Sequence, residues 1–344
     1  MYNYKTKPFE HQKQALIQGA KDYNFAYFME MGTGKTKVAI DNAAYLFQDK
    51  KIDFAYVIAP NSVYQNWKKE IKTHCPEEVN MYIWKVSKDK DFEIDPSKLT
   101  FVLMNVEALS HASGKKWLEK KLMKTGMRSM IILDESTSIK NLKASRTKSI
   151  IKLGQLARYK RILTGSPVTK SPLDLFSQCA FLDKQLLGYD TFTVFKARYA
   201  VMYNIERGGY SIQIPKYYVN LEELEYKIKN FSYRVRKKDC LDIPPKMYVQ
   251  RHVELPDEQR QAYERLKQNA LIILKDDEVS YNNKLTELLK LQQVANGFVK
   301  TNEGDIVEFK SNAKLKELMS VLEETQDKCI IWACLLYTSD AADE

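Results

Sequence analysis

Long apolar runs are missing from this sequence. Nothing in its 344 residues approaches the roughly 20 apolar residues that a membrane-spanning helix needs. The start, Met1 to Glu10, has no apolar segment of the kind a secretory leader carries, so no such leader is expected. Cysteine is scarce, with five (Cys75, Cys179, Cys240, Cys329 and Cys334). Only the last two are close, at a spacing that fits no zinc or redox motif. A disulfide-stapled fold is therefore excluded, and the thiols are expected to be reduced, in a cytoplasm. Internal repeats are not visible. Apolar residues at 44% and charged residues at 28% are ordinary for a globular protein and rule out pervasive disorder. The length predicts two or three domains.

Acidic residues are absent from Ser138 to Arg161, which holds eight basic ones. Lys227 to Arg251 holds eight basic residues against Asp239 and Asp242. The net charge is +10, and these two segments sum to +14 (8 plus 6), so the rest of the chain sums to −4. Basicity this local is the footprint expected of a surface that meets a phosphate backbone.

The first half alternates apolar runs with helical spacing. Strands are predicted at 25–29, 54–59, 101–105, 130–134 and 161–164, and helices at 35–47, 63–71, 115–123 and 144–156. Repeated strand–helix units predict an α/β fold with a doubly wound parallel sheet, whose ligands bind at the carboxyl ends of strands. Beyond about Leu186 the pattern turns mainly helical. Helices are predicted over 189–203, 221–231, 257–275 and 283–295, with a turn at Glu206 to Tyr210 and strands at 247–255 and 328–333.

Met31-Gly32-Thr33-Gly34-Lys35-Thr36 lies between a strand and a helix. Glycines there let backbone N–H groups turn around phosphate oxygens, as in a P-loop. Lys35 would reach the β- and γ-phosphates of ATP, and Thr36 would place a hydroxyl on Mg²⁺. The usual loop opens with glycine where this chain has Met29. Ile131 to Thr137 is the matching half: an apolar strand ends on Asp134, a candidate ligand of Mg²⁺ through water, and Glu135, a candidate to polarise the attacking water. Leu163-Thr164-Gly165-Ser166-Pro167 ends another strand, with the Thr164 and Ser166 hydroxyls within reach of Glu135. Gln12 carries an amide that can read adenine through one donor and one acceptor.

In this order and at this spacing, the motifs resemble the ATPase motor of superfamily-two helicases, and more narrowly the Swi/Snf-type DNA translocases. Met29 to Thr36 resembles motif I, and Val57 to Pro60 with Asn66-Trp67 resembles motif Ia. Asp134 to Thr137 with Ile139-Lys140-Asn141 resembles motif II, and Leu163 to Pro167 resembles motif III. Arg234-Val-Arg236-Lys237-Lys238-Asp239 with Ile243 to Lys246 resembles the linker after the family's helical protrusion. The resemblance implies a RecA-like ATP-binding lobe over 1–185, a helical protrusion and linker over 186–300, and the start of a second RecA-like lobe over 301–334. It implies ATP and Mg²⁺ as cofactors and nucleic acid, as double-stranded DNA, as partner. Asn66, Lys68, Lys140, Arg234, Arg236, Lys237 and Lys238 are the implied backbone contacts. Thr137 stands where the family often has histidine.

The last arginine is Arg265, so the arginines that the family's second lobe supplies to the ATP site have no counterpart here, and turnover by these residues is expected to be poor. Residues 335–344 do not continue the family pattern and are expected to be a non-native tail. Two alternatives stand beside the translocase: a strand-separating DNA or RNA helicase, and a non-catalytic module that binds nucleic acid in response to ATP.

Overall fold

The computed structural model describes residues 2–61, 63–86, 95–207, 210–244, 246–275, 281–301 and 305–332. The chain divides into two compact units, Met1–Pro244 and Pro245–Glu344.

The first unit runs α1 (Glu10–Gly19), β1 (Asn24–Met29), α2 (Lys35–Gln48), β2 (Phe54–Ala59), α3 (Tyr64–His74), β3 (Val79–Ile83), β4 (Leu99–Asn105), α4 (Ala112–Thr125), β5 (Ser129–Asp134), α5 (Ser145–Gly154), β6 (Tyr159–Leu163), α6 (Leu175–Leu182), α7 (Phe192–Tyr199), β7 (Ala200–Arg207), β8 (Tyr210–Tyr218), α8 (Leu221–Lys229), β9 (Ser232–Val235) and α9 (Lys237–Cys240). Seven strands form one sheet in the order β3-β4-β2-β5-β6-β1-β9, with every neighbouring pair parallel. Strands buried on both faces read as continuous apolar runs, and the core divides accordingly. Phe25, Tyr27 and Met29 of β1 pack into one cluster, and Ala26 and Phe28 into the other.

Three expectations change on this scaffold. The first unit continues to Pro244, past 185, because β9 pairs in parallel with β1 and closes that edge of the sheet. Val79–Ile83 is an edge strand whose residues are all only partly buried, so it carries no strong apolar pattern. Of the helix predicted over 189–203, only 192–199 is helical. Ala200-Val-Met-Tyr-Asn-Ile205 holds the strand formers Val201, Tyr203 and Ile205, and it pairs antiparallel with β8 instead. Residues 208–209 of the predicted turn lie outside the described residues.

Arg161 revises the reading of charge. It is fully buried on β6. Its guanidinium donates to Asn42 Oδ1 and to the carbonyls of Gly19, Asp22, Tyr23 and Lys160, at 2.7 to 3.1 Å. Lys160 is buried too, and Arg158 lies over the Tyr23 ring. Arg158 and Arg161 of the first basic segment thus hold the end of α1 and the following turn against the sheet.

The second unit contains α10 (Asp257–Lys275), α11 (Tyr281–Ala295), an antiparallel pair β10 (Phe298–Lys300) and β11 (Ile306–Glu308), and α12 (Ala313–Glu324). The described residues of 246–256 and 328–332 form no strand. An apolar run becomes a strand only with a neighbour to pair with, and neither segment has one among the described residues. Ala333 and the suspected tail lie outside the described residues. No described helix is long and apolar enough to cross a membrane.

Candidate nucleotide site

The strands β5, β6 and β1 are adjacent and parallel, so their carboxyl ends open side by side. The three candidate motifs leave from those ends. Met29 is the last residue of β1 and is wholly buried, so its side chain fills core space below the loop instead of obstructing it. The loop then turns through Gly32 (φ 86°) and Gly34 (φ 85°), a left-handed backbone that disfavours any residue with a Cβ. A Cβ at Gly34 would also lie 2.2 Å from the Gln12 amide nitrogen. Inside the loop, the Thr33 N–H and hydroxyl both donate to the Glu30 carbonyl, at 3.1 and 2.7 Å. The loop from β6 crosses close behind: a Cβ on Gly165 would stand 3.1 Å from the Met31 nitrogen.

Lys35 opens α2 and its ammonium lies 3.1 Å from Glu135 Oε1. Glu135 follows β5 with φ 47°, an uncommon left-handed conformation for a non-glycine residue. That turn aims its carboxylate back toward the loop. Thr164 Oγ1 lies 3.5 Å from the other carboxylate oxygen, and the Ser166 N–H donates to Thr164 Oγ1 at 3.2 Å. Lys35, Glu135, Thr164 and Ser166 are thus brought together.

Asp134 is buried at the end of β5. Its Oδ2 accepts from the Trp67 indole N–H at 2.8 Å, and its Oδ1 accepts from the Glu135 N–H at 3.0 Å. Burial pushes its carboxyl above the ordinary aspartate range, while the Trp67 hydrogen bond and the Lys35 charge pull it back. Each oxygen keeps a lone pair, so a hard oxygen donor stands within the field of Lys35, the first residue of α2.

Gln12 donates from its amide to the Thr33 carbonyl at 3.1 Å and accepts from the Phe9 N–H at 3.0 Å. His11, also buried, brings a ring nitrogen to 2.8 Å from the same carbonyl. Sequence reasoning missed His11 and the use of Trp67. The available signal for Trp67 was an indole on the buried stripe of an amphipathic helix, whose N–H must find an acceptor.

The implied backbone contacts do not form one cluster. Asn66 and Lys68 are exposed on α3, flanking Trp67. Lys140 donates to Thr169 Oγ1 at 2.8 Å. Arg234 is exposed on the edge strand β9, and Arg236 pairs with Asp239 at 2.8 Å. Lys238 is exposed, whereas Lys237 is half-buried against the phosphate loop.

A parallel sheet with a glycine loop, a following lysine and a strand-end Asp-Glu pair at one edge defines a P-loop fold of the RecA-like kind. A model of the SNF2-related domain matches residues 25–300, and the chain belongs to that family. It is 26% identical over 322 residues to an uncharacterized ATP-dependent helicase of Mycoplasma genitalium, covering 92% of this chain and 29% of that protein. It is 27% identical over 323 residues to the Bacillus subtilis helicase/translocase YwqA, a putative one by its name, covering 88% and 32%. The chain thus spans about three-tenths of the length of these relatives. The SWI2/SNF2 ATPase core of Sulfolobus solfataricus, solved with double-stranded DNA, shares the fold with a TM-score of 0.55 at 23% identity, over 94% of this chain and 65% of that one.

Proposed function

We propose that this chain binds ATP with Mg²⁺ and belongs to the motor of an ATP-driven translocase on double-stranded DNA. The observation that carries this reading is the meeting of Lys35, Asp134 and Glu135 beside a loop with two left-handed glycines. In it, Lys35 exchanges Glu135 for the β- and γ-phosphate oxygens, and the first turn of α2 adds its positive field. The Thr36 hydroxyl and the Asp134 carboxylate are hard donors suited to Mg²⁺, and would hold it. When bound, that ion offsets charge on the phosphates. Trp67 fixes the Asp134 carboxylate for that use. Glu135, freed from Lys35, accepts a hydrogen bond from the attacking water and orients it. Thr164 and Ser166 sit where a change at Glu135 passes to the loop after β6. Gln12 keeps one N–H and one lone pair for an adenine edge.

Nucleic-acid binding rests on exposed Asn66 and Lys68, on Lys140, and on Arg234, Arg236 and Lys238. It is supported by the names of the relatives and by the duplex bound to the Sulfolobus core. Calorimetry tests the nucleotide part: Lys35→Ala should weaken ATP binding by roughly 1.5–3 kcal/mol, and unchanged affinity refutes the assignment. Fluorescence anisotropy with duplex probes tests the rest. Affinity should fall with salt at a slope of about −0.9 per phosphate contacted, and a salt-independent affinity would remove the backbone-binding reading. ATP hydrolysis with and without duplex then separates a motor from a passive binding module.

A further inference from the structure

Lys237 belongs to the densest basic run of the chain, yet it does not share the surroundings of its neighbours. Arg236 turns to Asp239, and Lys238 is exposed. Lys237 folds over the phosphate loop: a Cβ built on Gly32 would lie 2.8 Å from its Cε and 3.1 Å from its Nζ. Its ammonium therefore sits against the backbone of the second loop residue before Gly34. The segment is pinned there twice by one loop residue. The Glu30 N–H donates to the Val235 carbonyl at 3.0 Å, and the Lys237 N–H donates to Glu30 Oε2 at 2.8 Å. Among the described residues the Lys237 ammonium has no carboxylate partner, whereas the loop's other lysine, Lys35, is paired with Glu135.

A half-buried cation with no counter-charge, held on a loop built for phosphate, needs an anion. We propose that Lys237 is a second cationic contact to the nucleotide's phosphates, delivered from the segment that leads from the first compact unit to the second. This rests on the reading of the loop as a nucleotide site. It ties the nucleotide site to the chain that follows β9, since phosphate at the loop would supply the counter-charge that the Lys237 ammonium lacks there. Lys237 is then a nucleotide contact, and the DNA-directed charge of the run belongs to its exposed members.

The test compares Lys237→Gln, Lys237→Arg and Lys35→Ala in the full chain, by calorimetry with a non-hydrolysable ATP analogue and with adenosine. Lys237→Gln should bind the analogue roughly ten-fold more weakly, the loss typical of one charge-assisted hydrogen bond. Adenosine affinity and melting temperature should be unchanged, and Lys237→Arg should recover most of the loss. Duplex affinity without nucleotide should be the same for Lys237→Gln and wild type. Wild-type analogue affinity in Lys237→Gln, alongside a weakened Lys35→Ala, would overturn the role of Lys237 and leave the site standing. Wild-type affinity in Lys35→Ala as well would overturn both. Equal losses for the analogue and adenosine, or a lowered melting temperature, would make Lys237 a structural residue and refute the contact.

Discussion

The two compact units differ in how they use apolar residues. In the first, all but one residue of β1 and of β2, and all of β5, are buried, and both faces of the sheet are covered by clusters. In the second, the buried apolar side chains among the described residues are Ala270, Val294 and Phe298, while Leu285, Leu288, Leu289, Met319 and Trp332 are exposed. Apolar burial at about 25 cal/mol per Å² is what offsets the entropy of ordering a chain, so rigidity should concentrate in the first unit. The candidate nucleotide site uses that rigidity. Asp134 and Leu163 end fully buried strands, Met29 ends one buried in all but its first residue, and a buried tryptophan and a buried arginine lock the elements around them.

The comparison breaks most directly at Arg161. Arg161→Leu removes the donors for four backbone carbonyls and for Asn42 Oδ1. A buried acceptor left unsatisfied costs about 1–3 kcal/mol, and the leucine recovers some of this by apolar packing. The expected loss is about 3–5 kcal/mol, read from denaturant unfolding by tryptophan fluorescence. A loss below about 1 kcal/mol would show that water satisfies those carbonyls and that the first unit is looser than its burial implies.

Alkaline pH sharpens the contrast at the next size of effect. Burial pushes the Cys75 thiol up to about 11 and the Cys179 thiol up to about 12, whereas Cys329 is exposed in the second unit. A raised folded-state value makes stability full below the unfolded thiol value, near 8.5, and lost as pH rises toward the folded value. Each buried thiol should therefore cost up to about 1.4 kcal/mol per pH unit between about pH 9 and pH 11. Unfolding of the first unit, followed at pH 8 and pH 10, should show a smaller loss in a Cys75→Ala/Cys179→Ala variant than in wild type. Cys329→Ser should leave the difference as it was, and an equal effect from all three would contradict the burial contrast.

How much was legible follows the same division. Strands with five or six buried residues in a row were readable, because burial on both faces forces an uninterrupted apolar run: Phe54–Ala59 was placed to the residue. Edge strand β3 and the β7–β8 pair were not, since partly buried strands mix polar and apolar residues and take their conformation from a neighbour. The site residues Lys35, Asp134 and Glu135 were legible through chemistry at fixed spacing. Trp67 and His11 were not, because their use depends on which buried acceptor the fold brings opposite them. Charge misled most: of the two basic segments, the first contains fully buried Arg161 and the second contains Lys237, folded over the phosphate loop.

The smallest effect concerns the second unit itself. Leu289 lies on α11 and is 43% exposed. Full burial of a leucine is worth about 1.5–3 kcal/mol, and leucine-to-alanine changes in closed cores cost about 2–5 kcal/mol because a cavity is left. A half-exposed leucine leaves no closed cavity, so Leu289→Ala should cost about 1 kcal/mol or less. Hydrogen exchange of the amides in 281–295, read by mass spectrometry on the full chain, isolates this helix from the first unit. Protection should fall several-fold at most, since a ten-fold change corresponds to about 1.4 kcal/mol. A hundred-fold loss of protection would instead mean that Leu289 is enclosed in solution. The apolar face of α11 would then be a packed surface, and the contrast between the two units would be one of partners rather than of rigidity.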